Sequence, residues 1–243
     1  PKMKKINLFL IPALAFSLSC GPKAQAQTPV LPFSGTIQYR IAYESPIVPQ
    51  EQLAQQPQTA TLRMGTDKAV FAMAEQKALA DATTKELHSL VTLSAMGLGK
   101  YHLTETEADL QMDVEEKKNL TVEKTQETKT ISGYTAHQAK AFYKQGNTSI
   151  ELDIWYVEGF GNPFFNHATQ AGSLDGVDGF PLEYAIKTPD MTMTFTVHKL
   201  TNEEVNPKYF NIPSSYKAST KEQMTKDIQE FMQSMRDMQG MGM

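Results

Sequence analysis

Two stretches of strict alternation constrain this chain more than anything else in it. From Thr148 to Val157, Ile150, Leu152, Ile154 and Tyr156 fall on one side and Glu151, Asp153, Trp155 and Val157 on the other. From Met191 to His198, Met191, Met193, Phe195 and Val197 alternate with four polar residues, Thr192, Thr194, Thr196 and His198. A period of two marks a strand with one buried face. The segment Tyr134 to Tyr143 is the natural partner of the first stretch, because Gly146 and Asn147 between them tolerate the positive φ of a tight reversal. A hairpin is expected there.

Further strands follow from the same pattern. Ile37, Tyr39, Ile41 and Tyr43 alternate with Thr36, Gln38, Arg40 and Ala42. Residues 59–64 and 69–73 flank the turn Gly65-Thr66-Asp67-Lys68, and 78–81 and 87–93 flank Thr83-Thr84-Lys85-Glu86. A helix competes over 72–90, where Ala, Glu, Lys and Leu are frequent. Residues 100–104 and 120–131 read as strands, the latter through its Thr and Val content. Residues 105–119 are charged and stay open between a solvated helix and a hairpin arm. The prolines at 46, 49 and 57 make 45–58 a loop with room for one helical turn at 50–55. Leu182, Tyr184 and Ile186 begin another strand.

Between Glu158 and Phe180 lies a loop too long to be a mere connector. It carries Phe160, Phe164 and Phe165, read as exposed aromatics. Asn162 followed by Pro163 looks like an N-cap and first helical residue, with Gly172 as the stop, so a short helix is expected over 163–171. At the C-terminus Ser219-Thr220-Lys221-Glu222 has the form of a capping box. Met224, Ile228, Phe231, Met232, Met235 and Met238 then share one helical stripe, which Gly240 ends. The fold class is mainly β (α+β): about ten antiparallel strands, a short lid helix and a C-terminal amphipathic helix.

The first residues have the character of a targeting segment. Met3 reads as the initiator, Lys4 and Lys5 make a basic start, and residues 6–18 form an apolar run too short for a stable membrane span. Two processing readings compete. Phe16 to Cys20 fits a permissive lipobox, with residues 1–19 removed and Cys20 lipidated, although Ser17 stands where an aliphatic residue is usual. Ala24-Gln25-Ala26 fits ordinary signal cleavage after Ala26, with residues 1–26 removed. Either places the body outside the cytoplasm: a tether over 27–32, a folded domain over 33–217, and a Met-rich helix and tail over 218–243.

The chain's formal charge is −4, and the leader holds Lys2, Lys4, Lys5 and Lys23 but no acid, so the body is more acidic still. An acidic surface without a basic cluster gives no reason to expect nucleic acid. Cys20 is the only cysteine, so no intramolecular disulfide can staple the fold and burial must hold it.

Signatures of catalysis fail one by one. His88, His102, His137, His167 and His198 are scattered without zinc-ligand spacing. Gly97-Leu98-Gly99-Lys100 lacks the earlier Gly and the following Ser or Thr of a phosphate loop, which makes it a hairpin turn. There is no Gly-x-Ser-x-Gly elbow. Asp175-Gly176-Val177-Asp178-Gly179 misses the spacing of a calcium loop and reads as a solvated turn. No cofactor is expected.

Five fragments in order resemble a family of secreted and lipidated envelope proteins of Gram-negative bacteria: Gly35-Thr36-Ile37-x-Tyr39, Ile131-Ser132-Gly133-Tyr134, Glu151-x-x-x-Trp155-Tyr156, Gly179-Phe180-Pro181-Leu182-Glu183, and Phe210-x-Ile212-Pro213-x-x-Tyr216. The match spans Phe33 to about Lys217. It implies a fold like that of the lipoprotein carriers LolA and LolB, a curved antiparallel half-barrel closed by helices on its concave face. It implies a compartment and no particular activity. Many relatives place a cysteine just after the Gly-Tyr pair; here Thr135 and Ala136 follow, so any role of that thiol is absent.

The expectation is therefore a non-enzymatic, periplasm-facing envelope protein that takes up an apolar ligand, a lipid or acyl chain. Trp155, Tyr156, Phe160, Phe164, Phe165 and Phe195 are the candidate lining and lid, although Trp155, Phe160, Phe164 and Phe165 also read as ordinary core that needs no ligand, and a lipid on Cys20 would supply outer-membrane anchorage. One alternative is an interaction module docking on an envelope partner through the C-terminal helix. Another is a Cu(I) site on Met232, Met235, Met238 and Met241, because soft thioethers favour that ion. Against it stands the use of Met as adaptable packing.

Overall fold

Alternating burial builds the sheet strand by strand in this computed structural model, which describes residues 30–94, 97–112 and 114–240. In β1 (Gly35–Glu44) the side chains of Ile37, Tyr39, Ile41 and Tyr43 are buried while their neighbours face outward. β2 (Thr59–Met64), β3 (Lys68–Met73), β4 (Gln76–Asp81), β5 (Glu86–Thr92) and β6 (Lys100–Thr106) follow as successive antiparallel neighbours. β7 (Thr121–Ile131), β8 (Tyr134–Gln145), β9 (Thr148–Val157), β10 (Phe180–Lys187) and β11 (Thr192–Asn202) form a second antiparallel run, and β11 closes it on β1. A short β12 (Lys217–Ser219) lies parallel to β6.

Among the described residues, the strands make one twelve-stranded, curved and unclosed sheet in the order β12-β6-β5-β4-β3-β2-β1-β11-β10-β9-β8-β7. The count exceeds the expected ten partly because β12 is only three residues long and has no alternation to betray it. The 72–90 stretch is strand and not helix: Leu79 and Leu87 gain burial across a ladder that propensity alone ignores. Residues 105–119 divide. β6 runs on to Thr106, Asp109 closes a turn by accepting from the Thr106 N–H at 2.8 Å, and α2 (Val114–Asn119) follows. The predicted turn of helix in the proline loop is α1 (Gln50–Leu53), which buries Leu53. Gly146 takes φ +58 in the β8–β9 reversal, as its permissiveness predicts.

α3 (Lys221–Gly240) starts one residue later than the capping-box pattern implies. Thr220 is the cap, its Oγ1 accepting from the Gln223 N–H at 3.1 Å. The helix is tied to β6 near its start, where Tyr101 Oη donates to Asp227 at 2.9 Å and Lys221 pairs with Glu105. Beyond that Met232 and Met235 are 50% and 40% exposed, so this part of the helix leaves its apolar stripe partly in solvent. No described helix is long and apolar enough to cross a membrane.

Candidate functional site

One face of the sheet, the inner one, is lined by the buried alternants, and the segment between β9 and β10 lies against it. Its aromatic centre spans adjacent strands. Phe195 on β11 lies 6.4 Å from Tyr39 on β1 and 6.2 Å from Phe71 on β3, ring centre to ring centre, with Tyr184 of β10 on its other side. Tyr39, Phe71, Tyr184 and Phe195 are all at most 2% exposed. A second aromatic group holds the entrance of the covering segment. Phe160 stacks on Phe33 at 4.7 Å and on Phe180 at 5.5 Å, with Tyr134 edge-on at 5.0 Å. The Phe33 N–H donates to the Phe160 carbonyl at 2.7 Å. Tyr134 also holds Val30, accepting from its N–H and donating to its carbonyl.

The covering segment contains a 3-10 helix at Pro163–Ala168. Asn162 caps it as expected, accepting from the Phe164 N–H at 3.0 Å. The helix stops three residues before the expected end because Thr169 is extended, at φ −84 and ψ 160, with its hydroxyl turned back to the Asn166 carbonyl. The aromatics read as exposed are not: Phe160, Phe164 and Phe165 are at most 3% exposed. The segment is thus a plug, packed against β3, β4 and β10. Glycines bracket it. At Gly161 an added Cβ would stand 2.7 Å from Met64 Sδ, and at Gly172 the backbone takes φ +67.

Beneath this apolar cover sit polar atoms with nothing to bond. The hydroxyls of Tyr39 and Tyr184 and Oδ1 of Asn166 are buried without a hydrogen-bond partner. The Tyr184 hydroxyl approaches the Gln170 N–H without closing a bond. Burial first, and then the charge of Glu183, pushes the Tyr39 phenol far above its ordinary range. Burial and then Tyr39 do the same to Tyr184. Both stay neutral donors at any physiological pH, and a buried donor left unmade costs about 1–3 kcal/mol. They are polar spots in an otherwise apolar core.

Of the six aromatic residues singled out in the sequence, the structure brings five to the core beneath and within the plug: Tyr156, Phe160, Phe164, Phe165 and Phe195. Trp155 faces the other way. Its ring lies under Lys129 Nζ at 4.4 Å, and Lys129 reaches on to Glu183 at 2.7 Å. On the same outer face Gln138 donates to Asp153 at 2.9 Å. A surface hollow of about 460 Å³ opens farther along β7 to β10, lined by Lys140, Phe142, Glu151, Asp153 and Lys187 among others. The two acids of the Asp175 turn are paired to Lys117 and Lys124, in keeping with a solvated turn.

Tyr39 and Tyr184 had the alternation of buried strand residues and nothing to mark their hydroxyls, because missing partners are a tertiary fact. Cys20 and Ala26 lie outside the described residues, as does Met241; of the proposed thioether set only Met232 and Met235 have described side chains. Among the described residues no three His, Cys, Asp or Glu side chains gather as a metal site.

No family profile matches the chain, and no curated protein does. Among solved structures it is similar to PNGF-II in two crystal forms, P21 and C2, each at TM-score 0.49 and 14% identity. These matches cover 82% and 81% of this chain, which spans about a third of the PNGF-II chain, 34% and 32%. It is also similar to the lipoprotein LppX of Mycobacterium tuberculosis, at TM-score 0.33 and 8% identity over 71% of this chain and 89% of that one. Likeness at this level assigns no activity.

Proposed function

We propose that this is a non-enzymatic envelope protein that accommodates a single acyl chain on the inner face of its unclosed sheet, with the Pro163–Ala168 plug moving aside to admit it. The observation that carries the reading is the plug itself: a short 3-10 segment between glycines, covering an aromatic floor in which two tyrosine hydroxyls have no partner. A core with no other task would fill that place with apolar groups, since unpaired buried hydroxyls only destabilise it. A carboxyl or ester head would satisfy both.

The energetics set a threshold. Lifting Phe164 and Phe165 into water costs about 1.5–3 kcal/mol each, whereas each buried methylene of a ligand returns about 0.8. About four to eight methylenes therefore break even, and longer chains bind. The test is displacement of a dansylated undecanoic acid probe by fatty acids of increasing length. Chains below about eight carbons should fail to compete and chains of about sixteen should compete at low micromolar concentration. Absence of probe binding, or competition independent of chain length, would remove the reading.

A second reading rests on α3. Met232 and Met235 are exposed on a helix whose described ties to the body lie at its first turns. It is suited to dock on an apolar groove of an envelope partner. The two readings separate cleanly: removing 221–240 should abolish docking and leave acyl binding intact.

A further inference from the structure

The five histidines are scattered in sequence, yet two of them meet on the outer face of the sheet. His88 on β5 and His102 on β6 are diagonal neighbours across the ladder, since His88 pairs with Thr104 and Leu90 with His102. His88 Nδ1 lies 3.1 Å from His102 Nε2, and Thr104 Oγ1 lies 3.3 Å from each of those nitrogens. The three atoms form an almost equilateral triangle. Donors 2.0–2.1 Å from a tetrahedral ion stand about 3.3 Å apart, so this triangle has the edge lengths of one coordination face.

We propose that His88, His102 and Thr104 bind a divalent first-row ion of imidazole preference, Zn²⁺ or Cu²⁺, with the remaining position open to water. The ion replaces the proton that the two ring nitrogens otherwise share. The surroundings suit this. Glu86 Oε2 stands 3.6 Å from the far nitrogen of His88, Nε2, just beyond hydrogen-bond reach and on the side from which a carboxylate can close on a ligating imidazole. Asp81 and Glu86 favour positive charge at this spot, and Lys68 opposes it. A cross-strand clip here would pin β6, the strand that carries α3.

Two nitrogens and a hydroxyl make a moderate site. The full chain, stripped with chelator, should take up one equivalent of Cu²⁺ at micromolar concentration, with electron spin-echo modulation from two imidazoles, and only a large excess of Zn²⁺ should compete, since nitrogen and oxygen donors hold Cu²⁺ more tightly. Cu²⁺ serves as probe because thioethers favour the cuprous ion, which keeps the Met-rich tail silent. His88→Gln and His102→Gln should each leave one imidazole and weaken binding at least tenfold. Glu86→Gln should weaken it about tenfold with both imidazoles kept. No uptake by the unsubstituted protein, modulation from fewer than two imidazoles, or a signal unchanged in both histidine variants would each overturn the assignment. The first two outcomes need no variant to fold.

Discussion

The rings of Tyr184 and Phe195 stack 4.6 Å apart and within 21° of parallel, paired across the β10–β11 ladder at the centre of the floor. Both are essentially inaccessible, and Phe195 is also in ring contact with Tyr39 and Phe71. Phe195→Ala should therefore cost about 3–5 kcal/mol, the range for emptying a buried aromatic site. Urea unfolding measures it, and a loss below about 1 kcal/mol would mean that the floor collapses easily.

Tyr39→Phe and Tyr184→Phe should behave differently from most core substitutions. Each removes a buried hydroxyl that bonds to nothing, so stability should hold or rise by up to about 1–3 kcal/mol. Acyl-chain retention should fall in the same variants if the hydroxyls receive the ligand head. Loss of stability in both would show that the hydroxyls are satisfied in solution.

Glycine tolerance should differ sharply between two positions. A Cβ at Gly179 would stand 2.6 Å from the Tyr156 ring and 2.8 Å from the Val157 carbonyl, whereas at Gly146 it would meet nothing. Gly146→Ala should cost only the positive-φ penalty of about 1–2 kcal/mol. Gly179→Ala should cost more, by displacing the join of β9 and β10. Thermal melting of the pair settles the order.

The sheet's pattern was plain in the sequence because one face is wet: wherever β1, β8, β9 and β11 alternate, the period alone assigns their faces. The plug was legible as a long aromatic loop holding a short helix capped by Asn162; its depth was not. Its Phe residues gave no sign of direction, since apolar residues outside a period do not say whether they face core or solvent. The strands at 76–92 read as a hairpin against a competing helix suggested by Ala, Glu, Lys and Leu, and the ladder decides for the strands. The meeting of His88 and His102 was illegible because it depends on the register of β5 against β6, fixed by the whole sheet.

Acid should weaken the fold partly through Asp81, whose side chain is 7% exposed. Burial pushes its carboxyl up, but the bond to Lys68 at 2.9 Å and the N–H groups of Thr83 and Thr84 outweigh that and hold it below the ordinary range. With the folded value depressed, this stabilisation is whole above the unfolded value, near 3.9, and is lost as pH falls through the folded one. Asp81→Asn should be less stable at pH 7 and should lose less stability between pH 5 and pH 2. Identical pH profiles for the two proteins would contradict this.

Whether the plug yields to an acyl chain is read by native mass spectrometry, with organic extraction, on the protein purified from a bacterial periplasm without detergent. A stoichiometric adduct is expected, whose extract contains an acyl chain longer than about eight carbons. Hydrogen exchange in 161–172 is expected to be faster in the loaded form, because the displaced plug loses its packing. An empty protein, together with exchange in that segment as slow as in β9 to β11 whether or not fatty acid is added, would contradict acyl-chain uptake and leave the exposed helix as the functional surface.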